Sequence, residues 1–260
     1  MAIPYLILTD ADSNTYDFNN NFIITGKTVN TSIQMLEGAY SSGGRNVGDG
    51  FPRTSTITIA GMLSVGVLAD FETAERAMKQ ACLKGGYLTL SNDTVSRRYT
   101  VIFAGMTETA RRTEGQEKHL DQVHKTYSIR FALQSPFQED ITATDDDNVL
   151  AGDDTVTITN SGDFLVKPVI TIDADQSVDI PEFTIINTTD GSMSFTYTDA
   201  SFESGDSVVI DCAAGTVKRN GGDTKENFSG NFVRLLTGSN SIDYEGAACT
   251  LTFTFRKVYL

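Results

Sequence analysis

Apolar and polar residues alternate along most of this chain. In residues 123–133, Val123, Tyr127, Ile129, Phe131 and Leu133 fall on one side of a period-two pattern, with Thr126, Ser128 and Arg130 on the other. That pattern predicts a half-buried strand. Residues 53–60 repeat it with Ile57 and Ile59 between threonines. Residues 250–256 repeat it with Leu251, Phe253 and Phe255 against Thr250, Thr252 and Thr254. Abundant Thr, Val, Ile, Tyr and Phe suit strands. Further strands are predicted over 5–9, 15–19, 28–37, 98–105, 155–160, 166–173, 182–187, 193–198, 206–211, 215–219 and 231–236. Asp190-Gly191, Ser204-Gly205-Asp206 and Asn220-Gly221-Gly222 supply turn signals between them. One segment, 70–84, has helical spacing instead. Phe71, Ala74, Met78 and Cys82 share a face. Asp70 is placed to cap the start, Glu72 and Glu75 suit the N-terminal end, and Lys79 and Lys84 suit the other. Gly85-Gly86 stops the helix. The reading is a mainly β chain: a β-dominated first domain with one helix, and an all-β second domain.

Charge divides the chain in the same place. The 260 residues carry 20 Lys+Arg against 34 Asp+Glu, a net charge of -14. Residues 1–140 hold 13 basic and 15 acidic side chains, and residues 141–260 hold 7 and 19, so -2 against -12. Residues 138–154, QEDITATDDDNVLAGDD, hold three consecutive acids at Asp145–Asp147. They read as a solvated linker. The expected organisation is therefore 1–140, an acidic linker over 141–150, and 151–260. The acidity argues against a phosphate-binding surface and against docking on an anionic membrane. No apolar run approaches the ~20 residues that span a bilayer. The start, Met1-Ala2-Ile3-Pro4-Tyr5, has no signal-peptide pattern. Three cysteines, Cys82, Cys212 and Cys249, do not describe a disulfide scaffold. Cys212 and Cys249 lie near predicted strands of the second domain. They read either as neighbours or as free buried thiols.

Little catalytic chemistry is found. HExxH, CxxC and GxSxG are absent, and Gly38–Arg45 lacks the GK[ST] of a phosphate loop. His119 and His124, five apart in or near a strand, point to opposite faces and read as surface histidines. Asp10, Asp12 and Asn14 sit at positions 1, 3 and 5 of a possible calcium loop. Thr15 occupies the place of the turn glycine and Asn21 that of the bidentate Glu, so the competing reading is a hairpin turn. Asp173, Asp175 and Asp179 form a similar acidic loop. No carboxylate pair is singled out for glycoside chemistry, and no Trp is present to stack sugars. No cofactor is expected. The Gly-rich stretch 38–52, GAYSSGGRNVGDGFP, lies between two good strands. It reads as a hairpin tip or as a segment ordered against a neighbouring subunit. On the second reading Arg45, Asn46, Phe51 and Arg53 are the interface candidates.

The last 57 residues, from Ser204 to Leu260, carry the most specific pattern. Gly205-Asp206 leads to a strand ending Ile210-Asp211, then Gly215-x-Val217, Asn220-Gly221, Phe232, Leu235-Leu236, Gly238-x-Asn240-x-Ile242 and a final alternating strand. Physically these are turn glycines, core positions and an asparagine able to hold a turn by bonding nearby backbone. The pattern resembles the C-terminal region of the distal tail proteins of long, non-contractile-tailed bacteriophages. The resemblance implies a galectin-like β-sandwich there. It also implies an N-terminal split β-barrel with one helix, related to tail tube proteins. It further implies a homohexameric ring enclosing the DNA channel, between tail tube and tip hub, that carries receptor-binding or fibre proteins at the virion tail tip after assembly in the host cytoplasm. No spare segment stands for the inserted carbohydrate-binding domain of some relatives, so the compact form is expected.

Two other readings compete with a structural ring protein. One is a carbohydrate-binding adhesion module contacting the host envelope through residues 146–260. The other is an enzyme acting on the cell wall. Fold alone decides neither, because function resides in the site.

Overall fold

The computed structural model describes residues 5–18, 22–32, 54–65, 68–91, 96–109, 112–114, 122–135, 137–174 and 178–259. The chain divides into two compact units, Met1–Gln138 and Glu139–Leu260. The first holds β1 (Tyr5–Thr9), β2 (Thr15–Asp17), β3 (Phe22–Ser32), β4 (Thr54–Val65), α1 (Leu68–Lys84), β5 (Gly86–Ser91), β6 (Ser96–Glu108), β7 (Arg112–Glu114) and β8 (Gln122–Leu133). Its strands form one open half-barrel sheet in the order β2-β1-β5-β6-β8-β4-β3, with β7 on β8. Neighbours in this sheet are antiparallel.

The alternation predicted from the sequence decides which face is dry. Tyr127, Ile129 and Phe131 of β8 and Ile57, Ile59 and Leu63 of β4 are buried, while Thr126 and Arg130 are exposed. Against the dry face lies α1, touching β1, β2, β4, β6 and β8. Phe71, Met78 and Cys82 are fully buried and Ala74 packs at the margin, so the expected helical face is the real one. The helix begins at Leu68, which places Asp70 in the first turn rather than at the cap. There its carboxylate still faces the positive end of the helix. Gly85, at φ 65°, ends the helix, and its N–H donates to the Cys82 carbonyl. β5 follows at once. At Gly86 a side chain would meet the Thr9 carbonyl oxygen at 2.2 Å, so only glycine lets β5 lie against β1.

The chain passes between the units within the short β9 (Gln138–Asp140). The second unit holds β10 (Thr144–Leu150), β11 (Asp154–Asn160), β12 (Val169–Ala174), β13 (Glu182–Asn187), β14 (Met193–Thr198), β15 (Ser207–Asp211), β16 (Thr216–Arg219), β17 (Gly222–Asp223), β18 (Phe228–Gly230), β19 (Gly238–Glu245), β20 (Cys249–Phe255) and β21 (Val258–Tyr259). Two antiparallel sheets, β10-β20-β12-β15-β16-β17 and β11-β19-β13-β14-β18, enclose one core. This is a β-sandwich. Cys249, Leu251, Phe253 and Phe255 point inward from β20, with its threonines outward. Phe183 anchors the aromatic part of the core, with Tyr197 at 5.3 Å and Tyr244 at 6.3 Å between ring centroids.

Three expectations are corrected here. The acidic stretch 141–150 is not a linker: Thr144–Leu150 is β10, in full register with β20. Its outward acids are accommodated by hydroxyls across the ladder. Thr254 Oγ1 donates to Asp145 and Thr252 Oγ1 to Asp147, each at 2.7 Å. Only Leu150 of β10 is fully buried, so the apolar signal of a strand is missing from the sequence. Residues 231–236, expected as a strand, form none beyond a single bridge from Leu235 to Val166. Val233 and Leu235 alternate into the core as a strand would. On either side of Leu235, however, the backbone of Arg234 and Leu236 is held by side chains. The expected strand 28–37 is Phe22–Ser32 in the structure, and residues 33–37 lie outside the described residues.

Candidate assembly surfaces

The sheet of the first unit ends on β3, an 11-residue strand whose only partner among the described residues is β4. The other end is the three-residue β2. A long edge strand presents a row of backbone N–H and C=O groups to any incoming strand. Ser32 pairs with Thr54, so residues 33–53, which contain the Gly-rich stretch, connect the far ends of this edge hairpin. The interface candidates Arg45, Asn46, Phe51 and Arg53 all lie outside the described residues.

A four-charge cluster fixes α1 to the sheet. Glu75 accepts from Lys79 at 2.7 Å and from Lys125 of β8 at 3.1 Å, and Glu108 of β6 accepts from both lysines at 2.9 Å. Lys125 and Glu75 are only 13% and 18% exposed. Burial alone would raise the Glu75 pKa, but hydrogen bonds from Lys79, Tyr127 and Lys125 outweigh it and bring it to about 2. Lys125 and Lys79 likewise lower Glu108. Burial, reinforced by Glu75, pushes the Tyr127 phenol up. The sequence holds one clue to this cluster, the i,i+4 spacing of Glu75 and Lys79. The partners on β6 and β8 carry no local signal.

The other predicted sites resolve as follows. Asp10, Asp12 and Asn14 form the hairpin turn between β1 and β2. Asp10 Oδ1 accepts from the backbone of Asp12 and Asn14, and Oδ2 accepts from Lys84 at the end of α1 at 2.7 Å. The Lys84 ammonium, with Asn14, holds the Asp10 pKa at about 2. Asp179 accepts from the Ser204 backbone, and Asp175 lies outside the described residues. Among the described residues no three His, Cys, Asp or Glu side chains gather as a metal set. His124 lies opposite Ser64 and Arg112 on β8, and His119 is outside the described residues. Cys212 and Cys249 are free and buried. They are not neighbours: Cys249 pairs with Ala174 at one end of β12, while the Cys212 N–H donates to Pro168 before the other end.

Three asparagines missing from any catalytic scheme organise the second unit. Asn160, Asn187 and Asn240 are fully buried. Asn240 accepts from the Leu236 N–H at 2.8 Å and donates to the carbonyls of Leu236 at 2.8 Å and Gly238 at 3.1 Å. Asn187 donates to the Arg234 carbonyl at 2.7 Å and to Asn240 Oδ1 at 3.2 Å. Asn160 donates to the Phe164 carbonyl at 2.8 Å and accepts from the Gly162 N–H. Arg234 adds a two-pronged bond to Asp190, at 2.6 and 3.1 Å. Every asparagine thus satisfies buried backbone that no strand reaches. Asn240 was legible as a turn-holder; Asn160 and Asn187 were not.

The pattern around this segment is shared. Residues 161–259 match the family model described as the siphovirus-type tail component, C-terminal domain. Most of the second unit is therefore similar to that kind of domain. Across 98% of the chain, the fold is similar to that of the crystal structure of SPP1 Dit, a paradigm of the hub adsorption apparatus in phages infecting Gram-positive bacteria. The TM-score is 0.67 at 15% identity, over 98% of this chain and 99% of that one. The phage P2 baseplate in its calcium-activated conformation gives 0.47 at 9% identity, over 97% and 98%. The same baseplate with strontium gives 0.49 at 9%, over 97% of each. No curated protein sequence matches this chain. The family likeness thus covers residues 161–259, and the likeness to SPP1 Dit across nearly the full chain is one of fold.

Proposed function

We propose that this chain is a structural ring protein at the distal end of a long phage tail. Six copies would close a ring around the DNA channel, join tail tube to tip hub, and carry receptor-binding or fibre proteins. The observation that carries the reading is the open sheet of the first unit with its 11-residue edge at β3. An edge of that length is a liability in a monomer and is removed when copies pair around a closed cyclic ring. The family match of the second unit supports the tail location. The role is assembly rather than catalysis.

Hydrogen exchange at two protein concentrations tests this. In the assembled state the β3 amides should exchange far more slowly than in the dilute subunit. Arg45→Ala with Arg53→Ala should weaken assembly while leaving each unit folded. Equal β3 exchange in both states would remove the edge from the interface.

A further inference from the structure

Asn220-Gly221 is the tightest turn of the second unit. Asn220 at φ 48° and Gly221 at φ 83° connect β16 to β17, where Arg219 pairs with Gly222. Both are left-handed, as a two-residue hairpin turn of this type requires. The dipeptide is also the sequence most prone to deamidation. The Gly221 backbone nitrogen attacks Asn220 Cγ, the side-chain nitrogen leaves as ammonia, and water then opens the cyclic imide to Asp or isoAsp. Nothing covers the turn, because Asn220 is exposed and no atom lies within 4 Å of where a Gly221 side chain would begin.

The Asn220 carboxamide is nevertheless held at both ends. Its Nδ2 donates to Asp206 Oδ1 at 2.7 Å, and its Oδ1 accepts from the Ser207 N–H at 3.0 Å. The Asn220 N–H donates to the Ser207 carbonyl at 2.9 Å. The amide is therefore drawn back to the start of β15. Turning Cγ toward the Gly221 nitrogen requires breaking both side-chain bonds, one of them to a carboxylate. The hydrogen bond from Asn220 first, and then that from the Glu203 backbone, lower the Asp206 pKa.

We infer that Asp206 locks the Asn220-Gly221 turn against deamidation, so that Asn220 is a modification site open only when this hairpin comes undone. Once modified, the new carboxylate at position 220 faces Asp206 at hydrogen-bond distance, and like-charge repulsion keeps the hairpin from refastening.

The test incubates the full chain at mildly alkaline pH and follows residue 220 by peptide mapping with isoaspartate detection. Folded wild-type protein should stay intact while the guanidinium-unfolded chain converts. Asp206→Ala should convert about tenfold faster than wild type, the effect of losing one charge-assisted hydrogen bond. Asp206→Asn, which retains an acceptor without the charge, should convert faster than wild type but more slowly than Asp206→Ala, and an Asp206→Asn rate equal to wild type would count against the lock. Folded wild type converting at the unfolded rate would overturn the inference, as would a folded Asp206→Ala that converts no faster. Should Asp206→Ala not fold, the folded and unfolded wild-type rates together with Asp206→Asn decide.

Discussion

Replacing Asn240 by alanine removes the side chain that substitutes for a strand beneath residues 231–236. The variant strands the Leu236 N–H and its carbonyl, both bonded at 2.8 Å, and loosens Gly238 and Asn187 as well. At ~1–3 kcal/mol for each buried backbone group left unpaired, two groups alone cost about 3 kcal/mol. A change of 1 kcal/mol moves the midpoint of a domain of this size by about 3–6 °C, so the second unit should melt roughly 10–15 °C lower. Calorimetry on the full chain reads this, because two units with separate cores give two transitions. Phe71→Ala, in the first unit's core, identifies the other transition by shifting it alone. Thr157→Ala, on the exposed face of β11, is the control and should change stability by about 0.5 kcal/mol or less. A shift from Asn240→Ala no larger than that of the control would refute the idea that asparagines carry this segment.

Other outcomes follow from the charge cluster and the thiols. Lys125→Met leaves Glu75 and Glu108 with Lys79 as their one cation among the described residues, and should lower only the first unit's transition, by an amount equivalent to about 2–3 kcal/mol. Glu75 and Asp10, both near 2 in the folded chain against 4.5 and 3.8 ordinarily, contribute stability that is complete above about pH 4.5–5 and lost as pH falls toward 2. Circular dichroism melts from pH 6 to 2 should therefore show the first unit weakening below that point, and a flat profile would contradict it. Burial pushes the Cys82 and Cys212 thiols up to about 12, and Cys249 is raised as well. A thiol reagent near neutral pH should find no reactive cysteine in the folded chain and three after guanidinium.

How far the sequence foretold these elements depended on whether the signal was local. The strands of alternating Thr with Phe, Leu or Ile and the helix face Phe71, Met78 and Cys82 were legible, because burial follows period directly there. β10 was hidden since its partners for Asp145 and Asp147, Thr254 and Thr252, lie more than a hundred positions away. Residues 231–236 misled in the opposite way: the alternation of Val233 and Leu235 is real, but no continuous ladder forms, because Leu235 pairs only with Val166 while Arg234 and Leu236 are bonded by Asn187 and Asn240. Gly85-Gly86 announced the end of α1 and concealed the start of β5. The Lys125–Glu75–Glu108 cluster joins three elements distant in sequence, so only the Glu75–Lys79 pair could be seen in advance.

The central claim is that copies of this chain close on themselves through the first unit. Light scattering on a size-exclusion column, with negative-stain images of the same peak, tests it most directly. Six copies of 28.2 kDa give a species of about 169 kDa, seen as a ring with a central hole. A particle that stays at the subunit mass at every concentration, or an open filament in place of a ring, would contradict the account.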